Sequence, residues 1–99
     1  MTAKQQSFNR ETATVTGLQA LSHIAADEDL FGAFLGQAGT DAADIRDRAT
    51  DPEFLGFVLD FLLQDDERVL GFAGAQGMAP EQVAQARQAL PGGDVPEWT

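Results

Sequence analysis

Asp51-Pro52-Glu53-Phe54-Leu55-Gly56-Phe57-Val58-Leu59-Asp60-Phe61-Leu62-Leu63-Gln64 is the stretch on which the fold turns. Eight of the ten residues from Phe54 to Leu63 are large and apolar, a density that would suit a buried strand. The residues that break the run decide against one. Glu53, Gly56, Asp60 and Gln64 recur at steps of three, four and four, which on a helix trace a single narrow stripe. Asp51 is a favoured N-cap, and a proline at the first helical position gives up no hydrogen bond. The segment therefore reads as a helix buried on nearly every side, and everything else in the chain must wrap around it.

Working outward, the same signals mark five more helices. A first runs from about Asn9 to Ala26, with Val15, Leu18, Leu21 and Ala25 at three- and four-residue steps that line one face. Asp27-Glu28-Asp29 opens a second, which carries Phe31, Phe34 and Leu35 and closes at Gly39, where the missing Cβ permits a left-handed turn. A short third spans about Ala42 to Ala49, with Ile45 inward and an Asp44–Arg48 pair at four-residue spacing. Asp65-Asp66-Glu67 begins a fifth, with Val69, Leu70, Phe72 and Ala73 inward, which Gly77 ends. Pro80 opens a sixth, with Val83, Ala86 and Leu90 buried, and Pro91-Gly92-Gly93 terminates it.

A shift of 38 residues superimposes Leu21 on Leu59, Asp27 on Asp65, Phe34 on Phe72, Gly36 on Gly74 and Gly39 on Gly77. Ile24 with Leu62 and Ile45 with Val83 agree in type. Five identities over positions 21 to 45 exceed the roughly two that ordinary composition supplies. The expected fold is thus all-α: a bundle of about six helices built as two pseudo-repeated three-helix halves. Its core would hold Leu18, Leu21, Phe34, Ile45, Phe57, Val58, Phe61, Leu62, Phe72 and Val83. The expected organisation is a flexible leader at 1–8, one helical domain at 9–93, and a tail at 94–99 whose Trp98 docks on the bundle.

With 99 residues, 43% hydrophobic and 22% charged, the chain suits one globular domain. The absence of cysteine removes disulfides, thiolate metal sites and cysteine nucleophiles. No segment approaches the roughly 18 apolar residues of a membrane span, so a cytoplasmic location is expected. The net charge is -10, and residues 11–99 carry 4 basic against 16 acidic groups. Such a field repels phosphate backbones and anionic lipid, which argues against nucleic acid and membrane partners and leaves a basic protein as the partner; pairing with a second copy would instead use a glycine-rich helix face.

Leu18-Gln19-Ala20-Leu21, Asp51-Pro52-Glu53-Phe54-Leu55, Val58-Leu59-Asp60-Phe61-Leu62-Leu63 and Ala86-Arg87-Gln88-Ala89-Leu90-Pro91-Gly92 resemble a small bacterial all-helical family of unknown function. The similarity spans about residues 11–98. Its patterns are helix and core signals, so the resemblance implies one domain and brings no catalytic residues with it.

Chemistry-bearing candidates are few, and each has a structural explanation beside the functional one. The clusters Asp27–Asp29 and Asp65–Glu67 could offer oxygen ligands to a hard cation, but helix capping accounts for both, and they lack the spacing of a calcium loop. Asp60 sits on the apolar fourth helix, where burial could make it a general acid; its stripe instead marks the solvated edge. His23 is the only histidine, lies off the Leu18–Leu21–Ala25 face, and has no nameable partner for catalysis. The glycines at 32, 36, 39, 71, 74 and 77 follow no strand and suit close helix packing better than a phosphate cradle. Trp98 is either a docked ring or an anchor for a partner.

No catalytic residue, cofactor or metal is therefore assigned, and Trp98, Asp60 and His23 are the residues singled out for binding a partner. The expected function is a small non-catalytic protein–protein interaction module with an acidic surface. The alternative is a small-molecule binder or enzyme with a pocket between the two helical halves.

Overall fold

The computed structural model describes residues 9–91, and among them the chain forms six helices and no strand: α1 Arg10–Ala25, α2 Glu28–Ala38, α3 Ala42–Arg48, α4 Pro52–Leu63, α5 Asp66–Gln76 and α6 Pro80–Gln88. The leader at 1–8, the tail at 94–99 and Trp98 lie outside the described residues.

Five of the six helices start on a side-chain oxygen. Asn9, Asp27, Asp41, Asp51 and Asp65 have extended backbones, and each accepts a hydrogen bond from an N–H of the first turn, at 2.7 to 3.1 Å. Each such cap contributes about 1 kcal/mol by satisfying a donor that the helix leaves free. Ala79, before α6, has no such oxygen; Gln82 Oε1 reaches back instead and accepts from the Ala79 N–H at 2.8 Å. Gly39 and Gly77 end α2 and α5 with φ of 67° and 69°, the left-handed geometry expected of them. Helix α6 stops at Gln88, ahead of the Pro91-Gly92-Gly93 signal, because proline disfavours helical backbone in the residue before it.

Helix α4 is the hub. Phe54, Leu55, Gly56, Val58, Leu59, Phe61 and Leu62 are buried, Glu53 and Gln64 are exposed, and Asp60 is between. Fully burying a leucine or phenylalanine contributes about 1.5–3 kcal/mol, so this helix holds the largest share of the core.

Helix α1 presents a different face from the expected one. Val15, Leu18 and Ala25 are exposed, and the buried stripe is Ala13, Thr16, Gly17, Ala20, Leu21 and Ile24. The reason is the bulk of α4. Two helices approach closely when small residues on one receive large residues on the other. A Cβ placed on Gly17 would lie 2.9 Å from the Leu55 Cβ, closer than carbon atoms pack. Leu18 is therefore not a core residue, and Phe57 is only partly buried. Leu70 likewise points outward from α5. Close packing through glycine falls on Gly17 and Gly56; Gly32, Gly36, Gly71 and Gly74 face open space, which corrects their reading as packing residues.

The 38-residue shift carries α2 onto α5 from end to end, the start of α3 onto that of α6, and the end of α1 onto that of α4. The halves also cross. Phe34 of α2 packs edge-to-face on Phe61 of α4, with centroids 5.2 Å apart at 77°. Phe72 of α5 does the same on His23 of α1, at 5.4 Å and 65°. Phe34 and Phe72 are equivalent positions, and so are His23 and Phe61. Gly17 faces Leu55, which is again its own equivalent. Reciprocal contacts of this kind are what a pseudo-two-fold axis between α1 and α4 produces.

The third helices break the symmetry. Helix α6 packs against α1, α4 and α5, whereas α3 makes no contact of comparable extent with any helix.

Candidate functional site

Because α3 stands off, an apolar groove lies open between α1, α2 and α3. Leu21 and Ala25 form one wall, Phe31 the second, and Ala42, Ile45 and Ala49 the third, with Ser22 and Arg46 at its polar points. Helical spacing extends the α1 wall toward the N-terminus. Ser22, Leu18 and Val15 follow one another at steps of four and three, with Leu18 38% and Val15 49% exposed. An exposed valine or leucine alone is ordinary; a row of them running into an apolar groove marks a surface shaped for contact.

Asp60 is placed at the edge of α4, where its Oδ1 accepts from Arg87 Nε at 2.6 Å. The Arg87 side chain is only 13% exposed. It lies across Gly56 and donates from Nη1 to the carbonyls of Pro91 at 3.0 Å and Leu90 at 3.5 Å. This one guanidinium thus ties the end of α6 to the middle of α4. Removing the Cβ at position 56 makes the room it occupies, since a Cβ there would sit 2.6 Å from Nη1.

His23 is partly exposed at the opposite helix pair. Its ring meets Phe72, and it borders a groove with Asp27, Leu30, Asp65, Glu67 and Arg68. Asp60 is not among the residues around it, so the structure does not bring His23 and Asp60 into one site. The carboxylates beside His23 belong to helix starts: Asp27 caps α2 and Asp65 caps α5. Arg68 lies over the Phe61 ring at 4.0 Å and donates to the Phe61 carbonyl at 3.0 Å. Among the described residues, no group of three or more histidines, cysteines or carboxylates is arranged to hold a metal ion.

A second shallow groove is lined by Ala38, Arg48, Asp51, Glu53, Phe54 and Phe57. Arg48 lies 5.8 Å from the centre of the Phe54 ring and pairs with Asp44 at 3.0 Å, while Asp44 also accepts from the Thr40 hydroxyl. Around all of these features the charge is one-sided, with five arginines against fourteen carboxylates in residues 9–91. No helix among the described residues is long and apolar enough to cross a membrane.

Sequence reasoning missed Arg87 and the α1–α2–α3 groove. The signal for both lay in the 38-residue shift, which sets Arg87 opposite Ala49 and Asp60 opposite Ser22. A family model described as a protein of unknown function, DUF3572, matches residues 10–93. No curated protein and no solved structure matches the chain.

Proposed function

We propose, for a chain that belongs to the DUF3572 family of proteins of unknown function, that it is a small non-catalytic module that binds another protein. The observation that carries this reading is the open apolar groove of α1, α2 and α3 and its continuation onto exposed Leu18 and Val15. Those side chains are left outside the core, as Leu70 is on α5, and covering them with a partner would recover about 25 cal/mol for each Å² of apolar surface removed from water. The polar residues that could have suggested chemistry have structural work: Asp60 holds Arg87, and His23 packs on Phe72. The acidic surface favours a basic partner by steering it and repels nucleic acid. The compartment that suits this reading is the cytoplasm.

The test is capture of tagged chain from its native cells, wild type beside Leu18→Glu, with quantitative mass spectrometry. A protein enriched by the wild type and lost with Leu18→Glu is the expected result. Recovery of nothing above background, the chain itself included, would overturn the proposal.

A further inference from the structure

Three arginines are held by the fold. Arg48 pairs with Asp44, Arg87 with Asp60 and the Pro91 carbonyl, and Arg68 donates to the Phe61 carbonyl. Arg46 is not held: among the described residues its guanidinium has no carboxylate or carbonyl partner, although residues 9–91 contain fourteen carboxylates for five arginines. The cause is local. Helix neighbours lie three and four positions away, and for Arg46 these are Ala42, Ala43, Ala49 and Thr50, whereas Arg48 has Asp44. Arg46 is also the one charged residue among the described residues that line the α1–α2–α3 groove, whose other lining is apolar apart from the Ser22 hydroxyl on the α1 wall.

We infer that this groove binds a small amphiphile with one carboxylate, its apolar chain against Leu21, Phe31 and Ile45 and its head on the Arg46 guanidinium. The head follows from charge and shape. A guanidinium presents a planar fork of donors that matches a carboxylate, and the Ser22 hydroxyl adds a donor on the facing wall. One cation balances one negative charge, whereas a phosphate dianion would bring a second into a chain of net charge -10. That acidic field is screened over about 8 Å in physiological salt, so within the groove the nearest charge, Arg46, selects the ligand. The body follows from the walls and the size. The groove has a volume of about 340 Å³, at the lower end of the roughly 300–1,000 Å³ of small-molecule sites. This goes beyond the interaction module: the ligand fills the groove, and the exposed Val15–Leu18 row, which does not line it, stays open to a protein partner.

Titration of the full chain with octanoate, octanol, octylamine and acetate, followed by the amide shifts in heteronuclear NMR spectra, tests this. Octanoate is expected to bind with a Kd below about 1 mM and to shift amides around Ser22, Phe31 and Ile45, with the other three at least about ten-fold weaker there. Arg46→Gln is expected to weaken octanoate about ten-fold at an unchanged melting temperature, and Arg48→Gln to leave it unaltered. Ala42→Glu gives Arg46 the helical partner it lacks and should weaken octanoate as much, a second route to the same loss if Arg46→Gln misfolds. No binding of octanoate, equal binding of octanol or octylamine in the groove, shifts confined to other parts of the chain, or undiminished binding by both groove variants overturns the inference. If octanoate fails while native capture still loses its partner with Leu18→Glu, the interaction module stands and the ligand falls; if octanoate binds as expected while capture recovers nothing, the ligand stands and the module falls.

Discussion

The two halves of the chain end their first helices and start their second and third helices at equivalent positions, yet they are not equally finished. Helices α4, α5 and α6 leave Leu70 exposed, but they bury the larger set of apolar side chains and lock the last helix with Arg87. Helices α1, α2 and α3 leave Val15 and Leu18 exposed, only part-bury Phe31 and Leu35, and attach the last helix mainly through Ile45. A repeat can thus hold its backbone plan while one copy supplies the core and the other supplies a surface.

The sharpest way to break this comparison is at the crossing phenylalanines. Phe34→Ala empties a site bordered by Phe54, Phe57 and Phe61, and Phe72→Ala one bordered by His23. Each should cost about 3–5 kcal/mol in urea unfolding, with Phe34 the larger because three rings lose their partner. If Phe72→Ala were nearly silent, the reciprocal packing would be wrong.

Next in size is Gly17→Leu, which places the residue of the second half at its counterpart in the first. Against Leu55 it should lose about 1–3 kcal/mol net, even though leucine favours a helix over glycine by somewhat under 1 kcal/mol. A stable variant would mean that α1 and α4 can separate, and the change in melting temperature reads this directly.

Arg87→Ala should cost roughly 1–2 kcal/mol, because two carbonyls lose their donor while Asp60, about half exposed, is rescued by water. Arg87→Lys should recover little of it, since an ammonium cannot bridge the carboxylate and the carbonyls at once. Smallest is Ala79→Asp, which gives α6 the cap that Asp41 gives α3. A gain of about 0.5–1 kcal/mol in thermal or chemical unfolding is expected, and no gain would show that Gln82 already satisfies that end.

How far the sequence foretold all this follows from what kind of signal each element carries. Helix α4 was legible because its apolar run is long and its few polar residues keep helical time. The caps and the two closing glycines were legible because each answers a local backbone need. On helix α1 the expected face fails at Val15, Leu18 and Ala25, because beside a helix as bulky as α4 the inward residues are the small Ala13, Gly17 and Ala20, a constraint set by the partner helix and not by α1's own periodicity. Of the three residues singled out for a partner, His23 and Asp60 are held in separate places by Phe72 and Arg87, and Trp98 lies beyond the described residues. No local rule points to Arg87, whose importance depends on a glycine 31 positions earlier in the chain. The groove beside α3 is equally non-local, because it arises from how far α3 stands from α1 and α2.

The exchange of Phe34 and Phe72 between halves bears on how the molecule comes apart. Neither set of three helices seals its own interior, so a severed half would present a raw aromatic face to water. Denaturation should then proceed as one all-or-none event, with calorimetric and van't Hoff enthalpies in agreement and no half-structured species along the way.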